Sequence, residues 1–579
     1  MRSAARALRS PALAGPAALA LLALLASGAS LANGFVYDDT PIIARNPRVH
    51  TLAQWWDIFA SAYWPRDRGS LHYRPLTVLS FAVQWALGDG APIVFHAVSV
   101  ALYVATCVAV LALARLVLPA AAAWVVAALF AVHPVHVEAV ANVVGQSELI
   151  VALCAVLAVA AYLRPRLAGH ALSRRSITAI AALYAIGCLA KESGFLLPAL
   201  LVAAELTIVG ARLEPGRRTL RARARQLWPI YSACAAIGVA YLLARRGVLG
   251  GLTDEPNAIF WRLSRQELVL TMLGVVPEWA RLLLWPAHLA ADYSPPWIPL
   301  LAAPTPAVVA GVVIIAGAVL LSVAAWRLRA PVATFGVLWF AIMISPVSNV
   351  VVPSGVLLAE RTLFAPSIGV MLALGAVWAW AGARLSTLGR TAAAVVGARA
   401  AFAMLAVLLV LGIGKSASRS RAWRDVDTFH ERLVEDAPLS YKAHQAYGTW
   451  LFTKHRRAEG ERHLRTAIAM FPNDPGPYAD LADLYRLAGM CAPAHELYRR
   501  VIELGGLVDR ARLGRIVCLL READYAEAAA QARLGVSQGG TERAQYRRFL
   551  AKADSGAAAG LVVRQAGAPR PRHRISNAP

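Results

Sequence analysis

Residues 11–39 read PALAGPAALALLALLASGASLANGFVYDD: an apolar run over residues 11–32 that closes on two adjacent carboxylates, Asp38 and Asp39. About 20 apolar residues span a bilayer as a helix, so this run is long enough to cross. Arg2, Arg6 and Arg9 precede it and small residues end it, which also fits a cleavable leader. The length of the run and the many apolar stretches behind it favour a retained first helix with a polar loop, residues 33–90, on its far side.

The rest of the chain supports that reading. Of 579 residues, 58% are hydrophobic and 16% charged, too apolar for a soluble protein. The net charge of +24 would suggest nucleic acid or anionic lipid if it lay on one face. Instead the arginines recur in short clusters between apolar runs, which marks membrane topology, and no nucleic-acid partner is expected. Spans are predicted near 11–32, 92–115, 119–133, 148–163, 176–190, 194–211, 227–243, 303–325, 331–345, 363–382 and 400–414, about eleven in all. Arg164, Arg166, Arg174 and Arg175, then Arg212 to Arg225, Arg327 and Arg329, and Arg384, Arg390 and Arg399 then fall on one side, the cytoplasmic one. Asp38, Asp39, Glu138, Glu148, Glu192, Asp254, Glu255, Asp292 and Glu360 gather on the other. Residues 266–286 carry Gln266, Glu267, Pro277, Glu278 and Arg281 and read as an interfacial or re-entrant helix. Cys107, Cys154, Cys188 and Cys234 lie in apolar runs and none of the six cysteines makes a CxxC, so neither zinc nor a disulfide framework is indicated; one Cys491–Cys518 bridge stays open.

After Lys415 the composition turns polar, and a soluble domain is expected over 416–550, with a disordered basic tail over 551–579. Tyr447-Gly448, Leu481-Ala482 and Arg515-Ile516 share one phase of a 34-residue period; Gly460, Ala494 and Ala528 share a second, and Ala467, Val501 and Gly535 a third. Small residues at fixed phases let paired helices approach closely, the pattern of tetratricopeptide hairpins. The fold class is therefore all-α: a membrane helix bundle over 1–415 with a helical-hairpin solenoid behind it.

Candidate chemistry collects at the non-cytoplasmic ends of the spans. Paired carboxylates at a membrane exit are costly to bury unpaired, and Asp38 is the expected general base, with Asp39 orienting it or binding a divalent ion. Mutual repulsion is expected to raise one of the two pKa values. Tyr37, Arg45 and Arg74 crowd the same loop. His133, His136 and Glu138 admit a metal reading, but Pro134 between the histidines spoils helical ligand geometry, and a polar pocket for sugar or phosphate oxygens is the reading preferred. Lys191-Glu192 is either an internal salt bridge or a lysine held ready for a phosphate. Glu360-Arg361 likewise is a structural pair or, through Arg361, a fork for a lipid-linked phosphate. Asp292 joins the set as part of a substrate wall. Gly414-Lys415-Ser416 lacks the glycine that a phosphate loop requires and is set aside.

The order of these pieces resembles the transmembrane and tetratricopeptide repeat-containing O-mannosyltransferases and, more broadly, the polytopic GT-C glycosyltransferases. The matching stretches run from residues 33–39, Asn46-Pro47, 73–76 and 133–140 through 191–194, 291–294 and 346–349 to 359–361 and Pro366-Ser367, with repeats following. The resemblance implies inverting transfer of a sugar, mannose-like, from a polyprenyl-phosphate donor to a hydroxyl acceptor, protein or glycan. It places the catalytic acidic position at Asp38. The Ala- and Arg-rich composition looks bacterial, so an inner membrane is expected, or the endoplasmic reticulum in a eukaryote, with the N-terminus cytoplasmic and the repeats outside, able to hold a partner protein. No cofactor is required by such chemistry. The alternative readings are a membrane-anchored repeat scaffold and a lipid or glycan transporter; the latter predicts charges near the middle of spans.

Overall fold

The computed structural model describes residues 11–65, 72–212, 220–251, 258–328, 330–350, 353, 355–387, 392–539 and 542–566. Arg2, Arg6, Arg9, Arg217, Arg218, Asp254, Glu255, Arg329, Arg390 and residues 567–579 lie outside them. The regular elements are helices, and they form two compact units, Met1–Pro438 and Leu439–Pro579.

Eight described helices in the first unit are long and apolar enough to cross a membrane: Gly15–Ala32, Pro92–Val117, Val143–Leu167, Glu192–Arg212, Arg223–Leu249, Pro306–Arg327, Glu360–Leu385 and Val395–Trp423. A ninth is counted if Ala120–Ala131 and Pro134–Ala141 form one span, bent by 49°. Pro134 accounts for the break, since it removes a backbone donor and clashes with the preceding turn. The sequence pattern predicts about eleven spans because apolarity alone does not fix helix length. Arg174–Ala190 and Pro331–Ile344 hold 17 and 14 residues. At 1.5 Å per residue they reach about 26 and 21 Å, short of a hydrocarbon layer of about 30 Å.

Residues 266–286 fall in a continuous 20-residue helix, Arg265–Leu284, opened by a capping box between Ser264 and Glu267. It is long enough to cross but too polar to count among the spans. Elsewhere proline sets the starts: Pro75, Pro92, Pro306 and Pro331 each sit in a first turn, where a missing N–H leaves no hydrogen bond unmade. Inside the bundle, Pro331–Ile344 crosses Phe364–Thr387 at Gly336 and Gly369. A Cβ on either would stand 2.4 or 2.3 Å from the other's carbonyl oxygen, so only glycine permits this approach. Outward, Val313, Leu320, Val396 and Phe402 are exposed, an apolar surface suited to lipid.

The last span does not stop at Lys415. Its helix runs from Ala392 to Ser420, and residues 421–438 fold back onto the first loop: Gly34 N–H donates to Arg424 O at 2.7 Å, and the Tyr37 ring lies 5.2 Å from that of Phe429. The shift to polar composition marks where the helix leaves the apolar layer, while packing carries the first unit on to Pro438.

The second unit holds three helix hairpins, Tyr441–Thr453 with Arg457–Met470, Pro475–Leu487 with Cys491–Leu504, and Val508–Arg521 with Tyr525–Gln538, closed by Arg543–Ala566. Leu464, Ala479, Ala482, Ala494 and Tyr498 share one buried core, and Ala528, Ala532 and Tyr546 another. The 34-residue period thus places its small residues at the helix contacts, as the sequence indicates. Residues 551–566, assigned by composition to a disordered tail, continue the closing helix. Alanine's high helix propensity suits them to it. Cys491 and Cys518 are joined as a disulfide with Cα atoms 5.3 Å apart.

Candidate active site

The first loop leaves the membrane at Asn33 and turns sharply at Tyr37, whose φ of +52° is uncommon for an aromatic residue. Asp38 and Asp39 follow at the start of a helical turn, Thr40–Ala44, where successive side chains diverge by about 100° rather than alternating as on a strand. They meet different surroundings. Asp39 is fully buried, and its carboxylate accepts from the backbone N–H groups of Val143 at 3.2 Å and Val144 at 2.9 Å. Burial pushes its pKa up to about 8 against the pull of those two bonds, and the Asp38 charge adds a smaller push. One of the pair is raised, as repulsion predicts, but desolvation is the larger cause. Asp38 keeps about a fifth of its side chain exposed and faces Arg361, with Oδ2 3.9 Å from Nη2.

Arg361 is held from the other side by Glu138. Its backbone N–H donates to Glu138 Oε2 at 2.9 Å, and its guanidinium bonds Glu138 Oε1. Glu138 comes from the short helix Val137–Ala141 and has a side chain only 1% exposed, against 22% for Arg361. The Tyr37 phenol is pushed up first by burial, then by the charges of Asp38 and Asp292, with Glu138 adding and Arg361 opposing. These five side chains therefore share one electrostatic environment. Asp292 Oδ1 accepts from Ser294 N–H at 2.8 Å.

A second set of charges adjoins this one. Lys191 takes extended backbone angles, which send its side chain and that of Glu192 apart. Lys191 bonds Glu148, while Glu192 is gripped by Arg74, Nε and Nη2 to Oε2 at 2.9 and 2.8 Å, and approached by Arg245 Nη1 at 3.4 Å. The adjacent-pair reading of Lys191-Glu192 gives way to two longer-range partnerships. Burial lowers the Lys191 pKa, Glu148 opposes, and the charges of Arg74 and Arg361 add to the lowering. The Arg74 guanidinium also lies 4.9 Å from the Tyr63 ring centre.

The remaining candidates face inward. His133 Nε2 is 3.0 Å from Leu283 O; His136 contacts Ser367 Oγ at 2.9 Å and the Tyr103 hydroxyl at 3.2 Å. Both imidazoles tie elements together, and Glu138 is turned to Arg361. Glu360 does not pair with Arg361: its Oε1 accepts from Ala290 N–H at 2.6 Å and Tyr293 O–H at 2.7 Å, fixing the turn that carries Asp292. Among the described residues no three His, Cys, Asp or Glu side chains converge as a metal set. Each Asp39 oxygen accepts from one of the two amides.

Sequence reasoning passed over Tyr63 and Arg245. The Arg245 side chain sits within the span Arg223–Leu249, and a charge inside a span is itself a pointer to function. Nothing in the local pattern around Tyr63 distinguishes it from the other aromatics of its loop.

The fold and the site together define a helical membrane protein with cations and carboxylates converging at one end of its spans, followed by helical-hairpin repeats. No protein-family profile matches the chain and no solved structure matches it. Curated proteins do. It is 27% identical to Protein O-mannosyl-transferase TMTC1 of Homo sapiens over 82% of this chain and 57% of that protein. It is 26% identical to Protein O-mannosyl-transferase TMTC3 of Mus musculus over 60% and 40%, and 33% identical to Protein O-mannosyl-transferase Tmtc2 of Drosophila melanogaster over 46% and 29%. The chain thus spans from under a third to just over half of the length of these relatives. The motif order and the matches agree: this chain is similar to the transmembrane and tetratricopeptide repeat-containing O-mannosyltransferases.

Proposed function

We propose that this protein is a glycosyltransferase that moves a mannose-like sugar from a polyprenyl-phosphate donor to a hydroxyl, on a protein Ser or Thr, at the non-cytoplasmic face. The contact between Asp38 and Arg361 carries the reading, since it joins a part-exposed base to the cation that a departing phosphate needs. In the reaction Asp38 takes the proton of the acceptor hydroxyl as its oxygen bonds the anomeric carbon. The bond from that carbon to the phosphate oxygen breaks from the opposite side, and the lipid phosphate leaves with the electron pair. Arg361 forks onto that phosphate, with Lys191 and Arg74 adding charge nearby. Asp39 anchors the turn that aims Asp38, and Glu138 aims Arg361. A single leaving phosphate met by these cations asks for no metal, so transfer is expected to persist in a chelator.

The names of the relatives support mannose and a protein acceptor. The Cys491–Cys518 bridge supports an oxidising, non-cytoplasmic compartment for the repeats, where they would hold an acceptor or a partner protein. The test supplies purified protein with labelled polyprenyl-phosphate mannose and a Ser/Thr peptide. Asp38→Asn is expected to cut transfer by roughly 100-fold or more at unchanged thermal stability. Transfer at the wild-type rate by that variant would exclude Asp38 as the base, and no transfer by the wild-type protein would favour a scaffold. Protease access to residues 439–550 in sealed vesicles reads the orientation independently.

A further inference from the structure

Two spans that begin near the candidate site, Val143–Leu167 and Glu192–Arg212, end at a second cluster of charges. About 27 Å separates Glu148 from Arg166 along one helix at 1.5 Å per residue, close to the thickness of a hydrocarbon layer. Arg166, Glu205 and Arg223 are all more than nine-tenths buried. Arg166 forks onto Glu205, Nη2 to Oε1 at 2.7 Å and Nε to Oε2 at 3.2 Å, and its Nη1 donates to Gln226 Oε1 at 2.7 Å. The Tyr162 hydroxyl donates to Glu205 Oε2 at 2.8 Å. Glu205 opens a π-helical turn, Glu205–Val209, a distortion often found at functional sites.

Among the described residues the charges in this cluster do not cancel. Glu205 is committed to Arg166, and Arg223 Nε approaches it only to 3.9 Å. Arg223 Nη1 donates to the Glu205 backbone oxygen at 3.5 Å, the outer limit of a hydrogen bond. Among the described residues the Nε of Arg223 is buried with no hydrogen-bond partner, and so is the hydroxyl of Tyr231, about two helical turns further on. A buried guanidinium in excess of its carboxylate is unfavourable until an anion completes it. Gly210 lets the guanidinium come close to its helix: a Cβ there would stand only 3.2 and 3.3 Å from the two terminal nitrogens of Arg223. Arg164, Arg212 and Arg225, each two residues along the chain from Arg166, Gly210 or Arg223, are exposed and add positive charge at these helix ends.

We propose that Arg223, with Arg166 and Tyr231, binds a phosphate group, that of an anionic lipid headgroup lodged between the helix ends at the membrane face opposite the candidate site. The guanidinium of Arg223 supplies the fork and Tyr231 O–H a further donor. The inference stands on this cluster alone and does not depend on sugar transfer.

The test measures the thermal unfolding midpoint of the full chain in neutral phosphatidylcholine nanodiscs, with phosphatidylglycerol titrated in as lipid or inorganic phosphate added to the buffer. The midpoint is expected to rise with phosphatidylglycerol, and Arg223→Gln to raise the half-saturating lipid fraction by roughly tenfold or more, as loss of a charge-assisted bond implies. An equal rise with inorganic phosphate would keep the site and make free phosphate its ligand. Should Arg223→Gln not fold, Arg223→Lys keeps the charge, loses the fork, and is expected to weaken the response about threefold. No response in the wild-type protein, or an unchanged response in the variant that folds, overturns the proposal.

Discussion

Among the described residues the two units differ in emphasis: local ion pairs are commoner in the repeats, long-range ones in the membrane unit. In the repeats Arg499 bonds Glu496 and Glu503, Arg465 bonds Glu461 and Arg456 bonds Glu459, all within one helix three or four residues apart and largely exposed. In the membrane unit Arg361 reaches Glu138, Arg74 reaches Glu192 and Arg166 reaches Glu205, across elements far apart in sequence and mostly buried. Local exposed pairs add little to stability because water and salt screen them. Buried distant pairs fix which helix ends meet, and losing one partner strands a charge. The difference teaches where a substitution in this chain is felt.

Five measurements would sharpen or break that contrast. The largest effect is the loss of transfer in Asp38→Asn, described above. Glu138→Gln comes next: it leaves Arg361 without its main counter-charge, and unfolding in detergent is expected to show a loss of about 3 kcal/mol, since the arginine keeps some exposure. A loss below about 1 kcal/mol would mean that Asp38 alone holds the guanidinium. Cys518→Ala is expected to cost the repeats about 2–4 kcal/mol, because the bridge closes a loop that the unfolded chain would otherwise leave open. Equal denaturation midpoints with and without reductant would argue against the bridge.

Asp39→Asn tests the buried acid through pH. The carboxyl of Asp39 is raised in the folded state, so its contribution is fully present below about pH 4 and is lost as pH rises through about 8. Wild-type thermal stability should therefore fall across that window relative to Asp39→Asn; parallel pH profiles would show that Asp39 ionises as freely folded as unfolded. The smallest effect belongs to Arg499→Ala, expected within about 0.5 kcal/mol of wild type.

Local signals made much of this molecule readable from its residues. Apolar runs, proline starts and the 34-residue period act through neighbours, and Asp38, Arg361, Lys191 and Asp292 stood out as polar groups at span ends. What stayed hidden depends on contacts between distant residues. Neither Lys191-Glu192 nor Glu360-Arg361 pairs internally, because an extended residue in one and a tight turn in the other separate side chains that are adjacent in sequence. The grip of Val143 and Val144 on Asp39 joins segments about a hundred residues apart. No periodicity reports such a contact. Helix length was the other gap, since Ala120–Ala131 and Pro331–Ile344 are as apolar as true spans and simply shorter.

The aromatic contact between Tyr37 and Phe429 bears on how this protein can be taken apart. A shortened chain that stops where the hydropathy changes, near residue 415, would lose the segment packed over the turn that bears Asp38. One that stops after Pro438 would keep that cover and discard only the hairpins, so the two units can be assayed separately only with the second cut.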